Sequence, residues 1–433
     1  MARKNQTDSN LAAKGFLAAS ALGALNTANA IKPAARKGPV SVLSFFPGWL
    51  TSELPLHVIG WQALATAGFV RAGALRSPKG WAALGLSAAS WTALYKTWLQ
   101  SLEAGDIYAR ALRDGLGDDL VTEALPTPES DPKLVRRRIA AGPLQNWRKR
   151  YVSPGDRDLS YGEAGRRNQL DIWKSPDIKP GSKAPVLVQV HGGGWIIGNK
   201  QQQAMPMLAH LADQGWVCVS INYRLSPRAT WPDHIVDVKR ALAWVKTNIA
   251  DYGGDPDFVC ITGGSAGGHL SSLAALTPNE PMFQPGFEDA DTSVAAAVPF
   301  YGVYDWINRD GSGRSDMDDV LGPLVLKVTQ QEDPELWYNA STMSWVSPDA
   351  PPFFVIHGAN DSLVPVEQAR SFVAMLRAES KEPVAYAELP GAQHGFEIFD
   401  SPRTLATVTA VHRFLESVRR STDHSGINSK ATP

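Results

Sequence analysis

The sequence predicts an α/β protein built on a mostly parallel sheet, and three observations carry that expectation. From Asp158 onward, short apolar runs alternate with helical patterns, the rhythm of strands joined by crossover helices. Within that stretch a Gly-rich turn, Gly263-Gly264-Ser265-Ala266-Gly267, follows a β-prone run and opens a helical one. The chain has 433 residues, 44% apolar and 20% charged, so it has room for one large core with appended structure and is neither disordered nor fibrous.

The first hundred residues differ from the rest. Between residues 38 and 104 the only formal charges are Glu53, Arg71, Arg76, Lys79, Lys96 and Glu103, and Trp49, Trp61, Trp81, Trp91 and Trp98 all fall there. Two apolar runs, 54–70 and 81–95, flank a turn-like Arg76-Ser77-Pro78-Lys79-Gly80. Both are borderline against the ~20 apolar residues that a spanning helix needs, although their Trp and basic ends resemble interfacial anchors. Residues 1–105 are therefore expected to be an apolar helical region, either a membrane hairpin or in-plane amphipathic pair, or a helical lid. A secretory signal is the third reading, with 16–25 as a weak apolar stretch before Ala28-Asn29-Ala30. The side of the membrane stays open, since basic residues flank both the amino terminus and the turn.

Residues 106–154 read as helical linker or cap, with basic clusters at Arg136-Arg137-Arg138 and Arg148-Lys149-Arg150. A solvated helix face is the expected role of that charge. Residues 155–420 form the expected α/β domain. Runs 158–161 and 169–173 read as an opening hairpin, followed by strands at 186–190, 217–222, 258–262, 294–300, 353–357 and 384–389. Helical patterns such as 235–249 and 368–378 separate most of them, and 305–343 breaks the rhythm as an excursion. Residues 421–433 read as a disordered tail.

Charge and cysteine content exclude some classes. With 42 Lys+Arg against 43 Asp+Glu the formal net charge is -1, so nucleic acid is not expected as a partner. The two cysteines, Cys218 and Cys260, sit in strand-like runs and read as small buried hydrophobes. No metal-ligand spacing is visible, and no cofactor is expected.

Gly263-Gly264-Ser265-Ala266-Gly267 fits G-x-S-x-G, in which the serine occupies a strained turn between strand and helix and the glycines permit close approach. His191-Gly192-Gly193-Gly194-Trp195 follows the strand at 186–190, and three glycines let backbone N–H groups approach a developing oxyanion. The rival phosphate-binding loop lacks G-x-x-x-x-G-K-[ST].

These two motifs join NYRLSP at residues 222–227, GGDP at 253–256 and HGF at 394–396 in an order that resembles the hormone-sensitive-lipase-like bacterial carboxylesterases. The likeness covers about residues 155–420. It implies an α/β-hydrolase fold with a mostly parallel eight-stranded sheet flanked by helices. It also implies an oxyanion hole from the backbone N–H groups of Gly193, Gly194 and Ala266, with the choice among the three loop glycines open by one. Where many members carry Asp just before the serine, this chain has Gly264.

In this fold the triad runs Ser, then Asp or Glu, then His. Of the late histidines, His357 ends a strand, His412 sits mid-helix and His424 lies in the polar tail, which leaves His394 as the base. Asp361, in the loop after 353–357, is the expected acid, with Asp305 in reserve. His191 is expected to shape its loop, and His269, one turn after Ser265, to pack. The expected function is serine carboxylesterase or lipase chemistry on short- to medium-chain esters, with lipid esters open. A noncatalytic ligand-binding or membrane-tethered scaffold, or a thioesterase or amidase with the same triad, are the alternatives.

Overall fold

A computed structural model describes residues 2–36, 38–117 and 150–429. The chain divides into two units, the first comprising residues 1–104 with 358–363 and 389–396, the second comprising 105–357, 364–388 and 397–433. The clusters Arg136-Arg137-Arg138 and Arg148-Lys149 lie outside the described residues.

Four long helices build the first unit: α1 (Ala2–Ile31), α2 (Gly38–Glu53), α3 (Pro55–Arg71) and α4 (Pro78–Leu102). Pro55 and Pro78 stand at first helical positions, where a missing N–H costs nothing, and Ser77 caps α4 by accepting from the Lys79 N–H. On α4 the buried residues are Gly80, Ala83, Ser87, Ser90, Leu94, Thr97 and Ser101, spaced alternately by three and four. On α1 Ser9, Ala13, Phe16, Ser20, Thr27 and Ala30 are buried with the same period. This is the a/d spacing of a helix seam, filled mostly with small residues so that the backbones approach closely. Ser20 and Ser87 hydroxyls meet at 3.0 Å, and Thr27 and Ser90 at 2.7 Å. The outer faces are the reverse: among the described residues, eighteen of the 22 exposed large apolar side chains belong to residues 1–104, including Leu22, Leu43, Phe46, Trp61, Leu64 and Trp81. The stretch 16–25 is the middle of α1, with Phe16 and Ser20 in the seam. Among the described residues no helix is long and apolar enough to cross a membrane.

The second unit holds an eight-stranded sheet of β1 (Leu159–Ser160), β2 (Gln169–Trp173), β3 (Ala184–Val190), β4 (Val217–Ile221), β5 (Gly254–Gly264), β6 (Ala296–Phe300), β7 (Phe353–Gly358) and β8 (Val384–Leu389), in the order β1-β2-β4-β3-β5-β6-β7-β8. The hairpin β1–β2 and the pair β2–β4 are antiparallel, whereas β3–β4, β3–β5, β5–β6 and β6–β7 are parallel. This is the expected mostly parallel sheet flanked by helices. β1 is shorter than the run 158–161 because Asp158 has a positive φ of 53°. Every residue of β4 and β6 is buried, as a sheet covered on both faces requires. Leu187 pairs with Cys218 on one side and Cys260 on the other, so β3 separates the two thiols.

Helices α5 (Ala104–Leu116), α6 (Met205–Asp213), α7 (Asp233–Asn248), α8 (Ala266–Leu276), α9 (Pro334–Ala340), α10 (Val366–Glu379) and α11 (Pro402–Ser429) follow, with short helical pieces at 318–326 and single helical turns elsewhere. Within the second unit Tyr108 of α5 is buried and its hydroxyl lies 2.7 Å from that of Thr407 on α11. The backbone of α11 is helical to Ser429, and the last four residues of the expected tail at 421–433 lie outside the described residues.

His191, His234 and His269 are fully buried in this unit. Burial pushes His191 down to about 4 and His234 and His269 down to about 3, so each is held neutral. The unfolded chain takes up these protons near pH 6.5, which the native state refuses until far lower pH, so stability is lost as pH falls through that window. Linkage puts the loss at on the order of 2 kcal/mol per histidine at pH 5 relative to pH 7. The melting temperature followed by circular dichroism is expected to drop between pH 7 and pH 5; an unchanged value would contradict the buried neutral state.

Candidate active site

Strand β5 runs directly into Ser265, which has φ 60° and ψ -121°, and α8 begins at the next residue. That left-handed backbone is costly for a residue with a side chain, and the surrounding structure must hold it there. The Ser265 N–H donates to Phe300 O at 3.0 Å, and its carbonyl accepts the His269 N–H at 3.0 Å. A Cβ at Gly263 would lie 2.4 Å from Gly267 O, and one at Gly267 would lie 2.1 Å from Val190 O. The turn is thus compatible only with glycine two residues before and two after the serine. Gly264 has its own cause, since a Cβ there would meet the Tyr301 hydroxyl at 2.7 Å. That hydroxyl donates to Glu397 Oε1, so Tyr301 occupies the space an acidic neighbour of Ser265 would need.

The loop after β3 brings Gly192 against the same turn, with its position 2.6 Å from Gly264 O for any added Cβ. The Gly192 N–H donates to Gln203 Oε1 at 2.7 Å and is therefore engaged. Among the described residues the backbone N–H groups of Gly193, Gly194 and Ala266 have no hydrogen-bond acceptor. Gly193 and Gly194 have φ 117° and 60°, conformations that glycine adopts without strain. His191 stacks on Tyr223 at 4.3 Å with its Nδ1 2.8 Å from Gly192 O, a turn-shaping arrangement. Trp195 ties this loop to α8: its Nε1–H donates to His269 Nδ1 at 3.2 Å, and His269 Nε2 donates to Ala340 O at 2.7 Å. His269 is also stacked on Trp306, so it packs as expected. Behind the loop the buried Lys200 ammonium pairs with Asp158 at 2.6 Å and with Asp171.

In the first unit Asp361 and His394 come together. His394 Nδ1 lies 2.6 Å from Asp361 Oδ2, and both side chains are buried. Their two loops are zipped to each other: Ala359 N–H donates to Leu389 O, and Asn360 N–H to Ala392 O, both at 2.9 Å. Gln393 bridges them, its Oε1 accepting from the Ser362 N–H at 2.7 Å and from the His394 N–H at 2.9 Å. The rejected histidines have other duties. His357 Nε2 is bonded to Val364 O at 3.0 Å, and His412 faces Glu416 on its own helix. Asp305, the reserve acid, is occupied by Arg309, whose N–H and Nε donate to its carboxylate at 2.6 and 3.1 Å. Sequence reasoning missed Gln203, Gln393, Tyr301 and Glu397; a polar residue beside the histidine, as in Gln393-His394, was the one readable signal.

Comparison with known proteins extends these observations. The BD-FAE family model matches residues 170–376. A probable carboxylic ester hydrolase of Mycobacterium tuberculosis, LipM, is 48% identical over 419 residues, covering 95% of this chain and 95% of its own. Esterase LipQ of the same organism is 44% identical over 383 residues, covering 88% of this chain and 85% of that one. Among solved structures, the esterase Est2 of Thermogutta terrifontis with propionate bound has a TM-score of 0.51 and 26% identity, covering 63% of this chain and 95% of its own. The match to LipM is too long to stop at the sheet and takes in much of the helical unit. Nearly half of all positions shared with a carboxylic ester hydrolase along almost its whole length settle the assignment: the chain belongs to the hormone-sensitive-lipase-like carboxylesterases of the α/β-hydrolase superfamily and is a carboxylic ester hydrolase.

Proposed function

We propose that Ser265 is the nucleophile of this esterase, His394 its general base and Asp361 the carboxylate that orients the imidazole. The observation that carries this reading is the 2.6 Å contact between His394 Nδ1 and Asp361 Oδ2. A proton shared on that side leaves the neutral ring its lone pair at Nε2, the tautomer a base needs. Ser265 Oγ gives its proton to Nε2 and attacks the ester carbonyl. The N–H groups of Gly193, Gly194 and Ala266 then receive the oxyanion, a role supported by their lack of other acceptors among the described residues. The imidazolium protonates the departing alcohol, and water attacks the acyl-enzyme by the same route in reverse. Short to medium acyl chains are the proposed substrates, a reading supported by the capture of the Thermogutta esterase with propionate.

A fluorophosphonate probe, which mimics the tetrahedral intermediate, is expected to label the protein at Ser265. Ser265→Ala should abolish labelling and His394→Ala should slow it severely. Asp361→Asn should slow it by on the order of 10⁴-fold, by analogy with the serine-protease triad. Folded wild-type protein that stays unlabelled would favour a noncatalytic binding role, and labelling sensitive to Asp305→Asn but not Asp361→Asn would move the acid.

We further propose that the helical unit lies in the plane of a membrane surface. Its inverted pattern, hydroxyls and small residues inside and large apolar residues outside, is the one expected where the surroundings are lipid. Residues 1–104 also carry ten Lys and Arg against three Asp and Glu, a positive balance hidden by the chain's overall -1. Lys14, Lys32, Arg36, Arg71, Arg76, Lys79 and Lys96 are all exposed, as contact with anionic headgroups requires. Full-length protein should float with phosphatidylglycerol-containing vesicles, more weakly with phosphatidylcholine alone, and less after Trp61→Asp with Leu64→Asp. Failure to float with either vesicle would overturn the membrane reading.

A further inference from the structure

We infer that helix α2 belongs to the catalytic apparatus: Phe45 and Trp49 are positioning residues that hold the loop carrying His394. The inference rests on the proposed role of His394 as general base. Trp49 Nε1–H donates to Gly395 O at 2.8 Å, fixing the peptide that follows the histidine. Phe45 is buried, with its ring 6.0 Å from the His394 ring at an interplanar angle of 79°. Phe45 and Trp49 stack on each other at 5.4 Å, so one face of α2 presents a single aromatic pair to this loop.

The helix is itself anchored. Asn29 of α1 donates from Nδ2 to Ser44 O at 2.7 Å, while its Oδ1 accepts the Ala34 N–H at 2.9 Å. Gly48 makes room for this clamp, since a Cβ there would stand 2.7 Å from Asn29 Nδ2. The Asp361 loop is held by the same helical unit, because Asn360 Nδ2 donates to Ile31 O, at the end of α1, at 2.7 Å. Both halves of the acid-base pair are therefore tethered to helices more than 300 residues earlier in the chain.

A carboxylate fixes only one edge of an imidazole. The ring can still tilt about its own Cα–Cβ bond and move with its loop, and a general base must stay within hydrogen-bond reach of the proton it takes. Gly391 and Gly395 flank Ala392-Gln393-His394, Gly395 with φ 68°, and the ties to the Asp361 loop all act before Gly395, so the peptide after the histidine needs its own anchor. Trp49 supplies a polar tie at Gly395 and Phe45 an apolar wall against the ring. These contacts predict a defect in turnover and not in substrate binding, since both act on the loop and ring of the base.

The test uses full-length protein, a p-nitrophenyl butyrate assay and the second-order rate of fluorophosphonate labelling. Trp49→Phe removes the donor and keeps the ring; Phe45→Ala removes the wall, and Phe45→Leu restores part of it. Trp49→Phe and Phe45→Ala should lower kcat and the labelling rate together by on the order of 10- to 100-fold, the scale of a small misplacement at a reacting group. KM and the melting temperature should stay close to wild type, and Phe45→Leu should recover part of the loss. Wild-type kcat and labelling in both variants, or a loss that tracks a lowered melting temperature without recovery in Phe45→Leu, would overturn the inference. If instead wild-type labelling proves independent of His394, the base assignment fails and not the tethering alone.

Discussion

Everything in the hydrolase unit is arranged around a crowded crossing of main chains at Ser265. The carbonyl of Val190 at the end of β3 comes so close to Gly267 that no side chain fits between them, and Gly263 meets the same helix turn from the other side. A left-handed serine in that crossing stores strain of on the order of 1–3 kcal/mol, which persists because the neighbours allow no relaxed alternative. The parallel pairing of β3 with β5, and of β5 with β6, supplies that rigidity. The loop after β3 then has one way to leave the sheet, past Gly192 and into the three-glycine turn. Trp195 and His269 lock the two segments behind the turn, where no solvent competes for their hydrogen bonds.

The helical unit obeys a different rule. In a bundle facing water on all sides the seam would be filled with leucine and the rim with charge; here Ser, Thr, Ala and Gly fill most of the seam, beside Phe16 and Leu94, and leucine and tryptophan face outward. The hydroxyl pairs Ser20–Ser87 and Thr27–Ser90 give the seam a register that dispersion between small side chains would fix only weakly. Placing polar groups inside costs nothing when each has a partner, whereas leaving a wall of exposed leucines in water does. The proposal that this unit lies on a membrane surface rests on that inversion and on its basic surplus.

The hydrolase half was legible from sequence because its sheet is covered on both faces, so each strand announces itself as a short apolar run. Ser265, Asp361 and His394 stood out because each sits just past such a run. The pairing of Arg309 with Asp305, four residues apart, was also there to be read and would have removed the reserve acid early. The helical half was only partly legible. Apolar runs identified α3 and α4, yet the faces that pack are mostly small and hydroxyl-bearing and give no hydropathy signal, so the three-four spacing of Ser87, Ser90, Leu94, Thr97 and Ser101 passed unread. Nothing local could connect Trp49 with Gly395, 346 positions away. Such contacts are fixed by tertiary structure, and a composition or motif reading passes over them.

The placement of Cys218 and Cys260 on either side of Leu187 has a practical meaning. Each thiol faces the interior of a covered sheet, and burial pushes both well above the usual thiol range, so neither offers a thiolate to an alkylating reagent or an oxidant. For chemistry on the folded protein the chain behaves as though it had no cysteine. A single cysteine introduced on an outer helix face would be the one reactive thiol among the described residues, ready to carry a fluorophore or spin label without first removing the native pair. The enzyme thus comes prepared for spectroscopic depth measurement at the proposed membrane surface.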